Sequence, residues 1–348
     1  MSTPRDAPTS APMIDRIPSG TRDVLPDEMR ELRAITERLR AEFELAGYGE
    51  VYTPALEYEA TLARGDLSAA IPAYRVFDEQ GQVLALRSDM TVPIARLVAT
   101  RYAGAEPPLR FCYFAHAYRR VRPQRGQARE FLQAGVELVG APAPEGTAEA
   151  LTVMCAALDA AGLKTYSVGL GDSSLFPALL EQVGVPPERR GRLVEELVAG
   201  DFVGVEREVA ALGIDDDSAD LLLRVPQIRG GPEVLEDVPP PLGAAVQGMR
   251  SVQALLPPDA AARVIFDLGL VRSLGYYTGA VFQVYDPALG VPIGGGGRYD
   301  DLLGKFGRPL PAVGFALGVD RLHIALAGEE RGATSSRLDE RAAAGLLR

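Results

Sequence analysis

Apolar residues recur every three or four positions after Pro26, the spacing that places side chains on one face of an α-helix. Pro26 suits the first helical turn, and Gly47 suits a left-handed end. The pattern therefore predicts an amphipathic helix between these two residues. Its apolar positions are Met29, Leu32, Ile35, Leu39 and Phe43.

Strand-like runs follow, several of them in pairs. Residues 74–78 and 83–87 flank a polar turn and predict a hairpin, and residues 109–119 and 130–140 predict a longer hairpin around a basic loop. Hairpins separated by helices favour an α+β fold with a mostly antiparallel sheet. Further strands are predicted at 49–54, 166–170, 263–269 and 278–285.

Changes in composition divide the chain into parts. Residues 1–16 are polar and Pro-rich, which predicts a flexible leader. Residues 173–260 contain helical fragments broken by Pro and Gly, so we interpret them as an α-helical insertion. The core then consists of residues 17–172 and 261–325, and residues 326–348 form a polar tail.

Charge and composition exclude several classes of protein. The 47 acidic and 36 basic residues give a net charge of -11, which disfavours a broad nucleic-acid surface. Two cysteines and two histidines provide neither a zinc site nor a disulfide framework, and we expect no metal and no cofactor. Without a run of about 18 apolar residues or a signal-peptide pattern, we expect a cytoplasmic protein.

One predicted strand carries candidate binding residues. Gln133 and Glu137 are four residues apart, so both side chains lie on one face, and Gly135 between them leaves room for a small polar ligand. Arg119 ends the preceding strand and suits a carboxylate or a phosphate. The alternative is that Glu137 pairs with an arginine for purely structural reasons.

Two other motifs favour structural roles. Four consecutive glycines at 294–297 remove side chains, which by itself indicates a tight turn more often than a ligand loop. The consecutive aspartates at 215–217 miss the alternating spacing of a calcium-binding EF-hand loop. They predict a solvated helix cap.

Six segments match known motifs in their known order: PSGTRDVLPDEM (18–29), GYGEVYTPALE (47–57), YRRVRPQRGQAREFLQAGVE (118–137), LVRSLGYYTGAVF (270–282), GGGGRYDDL (294–302) and GFALGVDRL (314–322). Together they resemble the class II histidyl-tRNA synthetase family over about residues 17–325. The resemblance implies a class II aminoacyl-tRNA synthetase-like core. The second segment resembles motif 1, which implies a homodimer through that region.

The same resemblance implies a histidine pocket. Asp89 and Thr91 stand where the family holds the α-amino group, and Arg119 matches the residue that faces the carboxylate. The positions that match other pocket residues are Gln133, Glu137, Arg272, Tyr276, Tyr277 and Tyr299. A carboxylate and a phenol can together satisfy both nitrogens of an imidazole ring.

The nucleotide site departs from the family pattern. Val121 stands where synthetases carry a glutamate that reads adenine, and Gln127 replaces an arginine of the motif 2 loop. Arg119 and Arg321 match retained residues of that site. The resemblance therefore implies a vestigial ATP site beside a better preserved amino-acid pocket.

Only 27 residues follow Arg321, whereas the smallest common domains need about 50. We therefore expect neither an anticodon-binding domain nor tRNA binding. This combination resembles the short synthetase paralogues that serve as regulatory subunits of ATP phosphoribosyltransferase. It implies a non-catalytic subunit that binds and activates a short-form catalytic partner in the first step of L-histidine biosynthesis, with L-histidine as a feedback ligand. The alternative is a truncated synthetase-like enzyme that activates histidine with ATP.

Overall fold

The computed structural model describes residues 17–65, 73–120, 128–236, 238–239, 242–271 and 275–345, with side chains described as far as residue 332. The leader predicted at residues 1–16 lies outside this range. Helix α1 (Pro26–Leu45) confirms the first prediction. Its buried side chains include Leu39 and Phe43, and Gly47 follows with a φ of 84°.

A nine-stranded sheet runs through the described part of the chain in the order β1-β5-β6-β12-β11-β10-β7-β9-β8. The pairs β1/β5 and β7/β9 are parallel and the others are antiparallel. The mostly antiparallel sheet is therefore confirmed. Its strands are β1 (Gly49–Glu50), β5 (Leu109–Tyr118), β6 (Glu130–Val139), β7 (Ser167–Asp172), β8 (Arg229–Gly230), β9 (Val264–Asp267), β10 (Ala280–Tyr285), β11 (Gly294–Arg298) and β12 (Ala312–Gly318).

A smaller sheet has the order β2-β4-β3. Its strands are β2 (Leu56–Tyr58), β3 (Arg75–Phe77) and β4 (Val83–Leu86). The pairing of β3 with β4 confirms the shorter predicted hairpin, and the pairing of β5 with β6 confirms the longer one.

The remaining helices flank these sheets. They are α2 (Glu59–Ala63), α3 (Thr91–Arg101), α4 (Glu145–Ala161), α5 (Leu175–Gln182), α6 (Pro187–Ala199), α7 (Phe202–Ala210), α8 (Asp216–Arg224), α9 (Gly243–Leu255), α10 (Pro258–Ala261) and α11 (Val319–Gly345). Asp215 caps α8 by accepting a hydrogen bond from the Ser218 backbone N–H, which confirms the predicted helix cap. Among the described residues, no helix has the length and apolar character needed to cross a membrane.

The two faces of the large sheet pack against different partners. On the helix-covered face, Val136 and Leu138 of β6 join the main core with residues of α1 and α4. On the opposite face, which we call the pocket face, Tyr113 of β5 packs with residues of α3 and with Tyr276 and Tyr299. The alternation of β6 thus gives one strand two separate environments.

The stretch 173–260 is mostly helical, as predicted, but it also contributes strand β8 to the edge of the large sheet. Its buried residues Leu179, Leu193 and Met249 belong to the same apolar core as α4. The description of this stretch as an insertion stays a prediction, as does the division of the chain into domains.

Two local predictions need correction. The glycine run is strand β11, not a tight turn, because β10 and β12 pair with it on both sides. A side chain on Gly296 would overlap the carbonyl of Gly314, so the bare backbone permits this close packing. The strand predicted at 49–54 is limited to Gly49–Glu50. The segment predicted as a polar tail is helical as far as Gly345, which the prediction left open.

Candidate ligand-binding site

The floor of the site is formed by β6 and its neighbours on the pocket face. Gln133 and Glu137 are both buried, with exposed fractions of 8% and 1%. Gly135 lies between them, directly below the hydroxyl of Tyr113, and Gly314 of β12 lies below the Glu137 carboxylate. The Tyr113 hydroxyl and the Phe315 carbonyl occupy the space beside Gly135, so protein atoms fill the room that the sequence spacing predicted for a ligand.

Glu137 is held by two hydroxyl groups. The Thr91 hydroxyl donates to Oε1 at 2.8 Å, and the Tyr299 hydroxyl donates to Oε2. Burial raises the pKa of Glu137 from 4.5 to about 8, although both hydrogen bonds act in the opposite direction. Both hydrogen-bond partners of Glu137 are hydroxyl groups. The alternative, in which Glu137 forms an ion pair with an arginine for structural reasons, has no support among the described residues.

Asp89 lies where the chain enters α3. Its Oδ1 accepts a hydrogen bond from the Val92 backbone N–H at 3.2 Å, which satisfies a free amide at the start of the helix. Burial raises the pKa of Asp89, while hydrogen bonds from the backbone of α3 and the charge of Arg119 lower it. The buried Oδ2 has no hydrogen-bond partner within the described part of the chain.

Gln133 presents a second unmet acceptor. Its Oε1 is buried and has no partner among the described residues. A buried polar atom without a partner costs about 1 to 3 kcal/mol. Asp89 Oδ2 and Gln133 Oε1 therefore favour a ligand that brings N–H donors, and an ammonium group brings three.

Three tyrosines form the aromatic wall of the site. The ring of Tyr276 lies 4.9 Å from that of Tyr277 and 5.6 Å from that of Tyr299, measured between centroids. The Tyr277 ring covers Gly297 of β11, so the glycine run provides space for it. Burial raises the pKa values of Tyr276 and Tyr299, which therefore remain phenols at neutral pH.

Arg119 supplies positive charge at the rim. Its Nε donates to the Ser88 carbonyl at 3.3 Å, and its guanidinium lies 5.0 Å above the Phe131 ring. Its charge also lowers the pKa of Asp89. The combination of this cation with buried acceptors and aromatic rings suits a small zwitterion.

The structure does not bring every predicted residue into this cluster. Arg321 lies in the first turn of α11 and donates to the Pro292 carbonyl at 2.7 Å. Arg272, Val121 and Gln127 lie outside the described residues. The predicted vestigial nucleotide site therefore stays a prediction.

Sequence reasoning missed Arg87, an arginine that is 3% exposed and precedes Ser88 and Asp89. It also missed the ion pair between Arg96 of α3 and the buried Glu57 of β2, which are 2.6 Å apart. The available signal for Arg87 was a charged residue directly after the apolar run VLAL. For Glu57 and Arg96, no local pattern joins two positions 39 residues apart.

Comparison with known proteins decides the family. The family model described as histidyl-tRNA synthetase matches residues 20–322. A relative from Symbiobacterium thermophilum, named ATP phosphoribosyltransferase regulatory subunit, is 43% identical over 330 residues, which cover 92% of this chain and 82% of the relative. The chain belongs to the histidyl-tRNA synthetase family, in the branch of these regulatory subunits.

Other members of the branch agree. A relative from Desulforamulus reducens with the same name is 41% identical over 317 residues, covering 89% of this chain and 79% of the relative. These relatives are named as regulatory subunits and not as enzymes, which confirms the predicted regulatory role in histidine biosynthesis and speaks against the alternative of a truncated enzyme.

Solved structures confirm the class II synthetase-like fold. The structure of an ATP phosphoribosyltransferase regulatory subunit/histidyl-tRNA synthetase from Bacillus halodurans has a TM-score of 0.84 at 35% identity, and the match covers 91% of this chain and 84% of that one. Histidyl-tRNA synthetase from Nostoc has a TM-score of 0.74 at 22% identity, covering 88% of this chain and 74% of that one, and shows the fold alone.

Proposed function

We propose that this chain is a cytoplasmic regulatory subunit that binds and activates a short-form ATP phosphoribosyltransferase, with free L-histidine in the pocket as its feedback signal. The observation that carries the proposal is the buried acceptor set of Asp89, Gln133 and Glu137 beside the guanidinium of Arg119. Such a set matches the donors and the carboxylate of an amino acid with a polar ring.

Each group of histidine has a partner in this proposal. The α-ammonium group donates to Asp89 Oδ2 and Gln133 Oε1, and the α-carboxylate pairs with Arg119. The imidazole lies against Glu137 and the aromatic wall. Because the pKa of Glu137 is about 8, the carboxyl can donate its proton to a neutral ring or accept from a charged one.

Calorimetric titration with L-histidine tests the pocket. We expect binding to the wild-type chain and a loss of about 100-fold or more in affinity for Glu137→Ala, since a buried hydrogen bond to the imidazole and the packing around it are both removed and the ring is left without its partner. Glu149→Ala is the matched control, because Glu149 pairs with Arg110 and Tyr48 away from the pocket. Unchanged affinity in Glu137→Ala would place the ligand elsewhere.

Activation is tested by mixing the chain with a short-form catalytic subunit and measuring phosphoribosyl transfer to ATP. We expect a complex and a faster rate, which L-histidine then lowers. The chain alone is expected to catalyse no histidine-dependent exchange of pyrophosphate into ATP. A mixture with neither complex nor rate change would contradict the proposed function.

We further propose a homodimer through the motif 1 region. Leu56, Tyr58 and Val76 share one face of the small sheet and are 43%, 54% and 45% exposed. A contiguous exposed apolar face of this kind supports a protein interface. Analytical ultracentrifugation should show a dimer that Tyr58→Arg weakens, whereas Val203→Arg, at an exposed apolar position on α7, should leave it unchanged.

A further inference from the structure

Arg87 connects two segments that are distant in sequence. Its Nε donates to the His116 carbonyl of β5 at 2.8 Å, and its Nη1 donates to the Thr53 carbonyl at 2.6 Å. The backbone repeats the connection, because Arg87 N–H donates to the Ala55 carbonyl and the Arg87 carbonyl accepts from Tyr118 N–H, both at 2.9 Å. Side chain and backbone therefore fix the same two segments.

The environment of Arg87 is unusual for a buried cation. Its hydrogen-bond acceptors in the described part of the chain are two carbonyls and, at 3.5 Å, the Thr53 hydroxyl. Burial lowers the pKa of Arg87. A planar guanidinium can hold acceptors in two fixed directions at once, whereas a lysine ammonium provides a single charged point on a flexible stem.

One of the connected segments leads to the apolar face of the small sheet. Thr53 is 1% exposed, whereas Tyr52 beside it is 82% exposed. Three residues after Thr53, the chain enters β2, where Leu56 and Tyr58 carry the exposed apolar side chains. A shift of this face therefore reaches the Thr53 carbonyl directly.

The other direction leads to the pocket. Arg87 is followed by Ser88, whose carbonyl accepts from Arg119, and then by Asp89 with its unmet Oδ2. Arg119 follows Tyr118, which is bonded to the Arg87 carbonyl. Asp89, assigned to the ammonium group, thus lies two residues after Arg87, and Arg119, assigned to the carboxylate, follows directly after β5, which Arg87 contacts.

We propose that Arg87 is a positioning residue that couples occupancy of the ligand pocket to covering of the apolar face of the small sheet by a second copy of this chain. The inference rests on the proposed histidine pocket and homodimer. A buried guanidinium bonded to both segments transmits a displacement of one to the other. In this proposal histidine strengthens self-association, and linkage requires that self-association strengthens histidine binding by the same factor.

Sedimentation equilibrium with and without L-histidine measures this factor. We expect histidine to tighten the wild-type dimer by about 5- to 50-fold, within the usual range of coupling between sites. In Arg87→Lys, the dimer dissociation constant should be about the same with and without L-histidine, so that their ratio falls to about 1 even if the variant still dimerises. Arg110→Lys is the control, because Arg110 pairs with Glu149 outside the pocket, and it should keep the wild-type ratio.

A merely structural role for Arg87 gives a different result. In that case Arg87→Lys lowers the free energy of unfolding and weakens both associations, but the ratio stays at the wild-type value, which overturns the proposal. A wild-type chain that remains monomeric at every concentration overturns it as well.

A second measurement needs no histidine. Hydrogen exchange of the peptide around 88–92 should slow when the wild-type protein passes from monomer to dimer, and Arg87→Lys should abolish that difference. If the wild-type chain fails to bind histidine, the histidine pocket is rejected, and the exchange result alone decides the role of Arg87. Equal exchange in the wild-type monomer and dimer overturns the coupling.

Discussion

The two faces of strand β6 bury different chemistry. On the helix-covered face, Ala134, Val136 and Leu138 are fully buried and apolar. On the pocket face, Gln133 and Glu137 are almost as deeply buried but polar, and Gln133 keeps an unmet acceptor. The first face stabilises the fold, whereas the second carries groups whose burial costs stability and whose unmet hydrogen bonds suit a ligand.

The largest effect on stability is expected from a substitution that creates a cavity on the helix-covered face. Leu151 of α4 is completely buried in the main core. Leu151→Ala should lower the free energy of unfolding by about 2 to 5 kcal/mol, as measured by urea denaturation, because the cavity adds to the lost burial. Under conditions in which the variant is folded, its affinity for L-histidine should match that of the wild type. A parallel loss of affinity would show that the two faces are not independent.

The next effect concerns pH and the pocket face. The folded chain raises the pKa of Glu137 from 4.5 to about 8, so the folded state holds this proton where the unfolded state has released it. Wild-type stability from this group is therefore complete below about pH 4.5 and is lost as pH rises through about 8. Glu137→Gln cannot titrate, and its stability relative to wild type should rise by a few kcal/mol across this window.

Urea denaturation at pH 5 and pH 8 measures that difference. Glu149→Gln is the control, because its pairing with Arg110 lowers the pKa of Glu149, and the stability it provides is lost only as pH falls below the window. If the free energies of unfolding of Glu137→Gln and wild type change in parallel between pH 5 and 8, the folded chain does not hold a proton on Glu137 across this range.

A smaller effect should follow from removing one hydroxyl of the pocket. The Tyr299 hydroxyl donates to Glu137 and holds its pKa down against burial. Tyr299→Phe keeps the ring that packs against Tyr276 and should raise the pKa of Glu137 further, because one of the two hydrogen bonds that oppose the effect of burial is lost. The carbon-13 chemical shift of the carboxyl group, followed through a pH titration, reports this midpoint. An unchanged midpoint would exclude Tyr299 as a donor to the charged form.

The smallest effect is expected far from both faces. Asp215 caps α8 through the Ser218 N–H at 2.9 Å. Asp215→Ala should lower the free energy of unfolding slightly, because the first turn of α8 loses the side chain that caps it. Thermal denaturation measures this, and histidine affinity should remain constant. A change in affinity would mean that the stretch 173–260 communicates with the pocket.

Sequence patterns predicted those helices and strands whose own residues show a clear apolar periodicity or a long apolar run. Helix α1 has periodic apolar residues and a glycine end, and the β5/β6 hairpin has two long apolar runs. Strand β11 carries no such signal, because four of its five residues lack side chains and only the pairing with β10 and β12 makes them a strand. Tertiary pairing, not local propensity, decides such a segment.

For the candidate site, the sequence predicted only those residues that stand at positions matching a family motif. Asp89, Thr91, Glu137 and Tyr299, which the resemblance assigns to one pocket, lie close together in the structure, and their role in binding stays a prediction. Arg87 was not predictable, because its role depends on carbonyl groups at Thr53 and His116, and every residue type provides a carbonyl. When a side chain bonds to backbone carbonyls, the residue type of its partner is not constrained, so no partner can be identified from the sequence.

Gly314 limits how this pocket can be redesigned. It faces Glu137 across the β6/β12 pair, and a methyl group there would overlap the carboxylate and come within 2.6 Å of the Val136 carbonyl. Because the obstacle includes backbone, no choice of rotamer elsewhere relieves it. An engineer who seeks a new ligand preference must therefore leave the floor as it is and vary the groups above it, such as Thr91 and Tyr276.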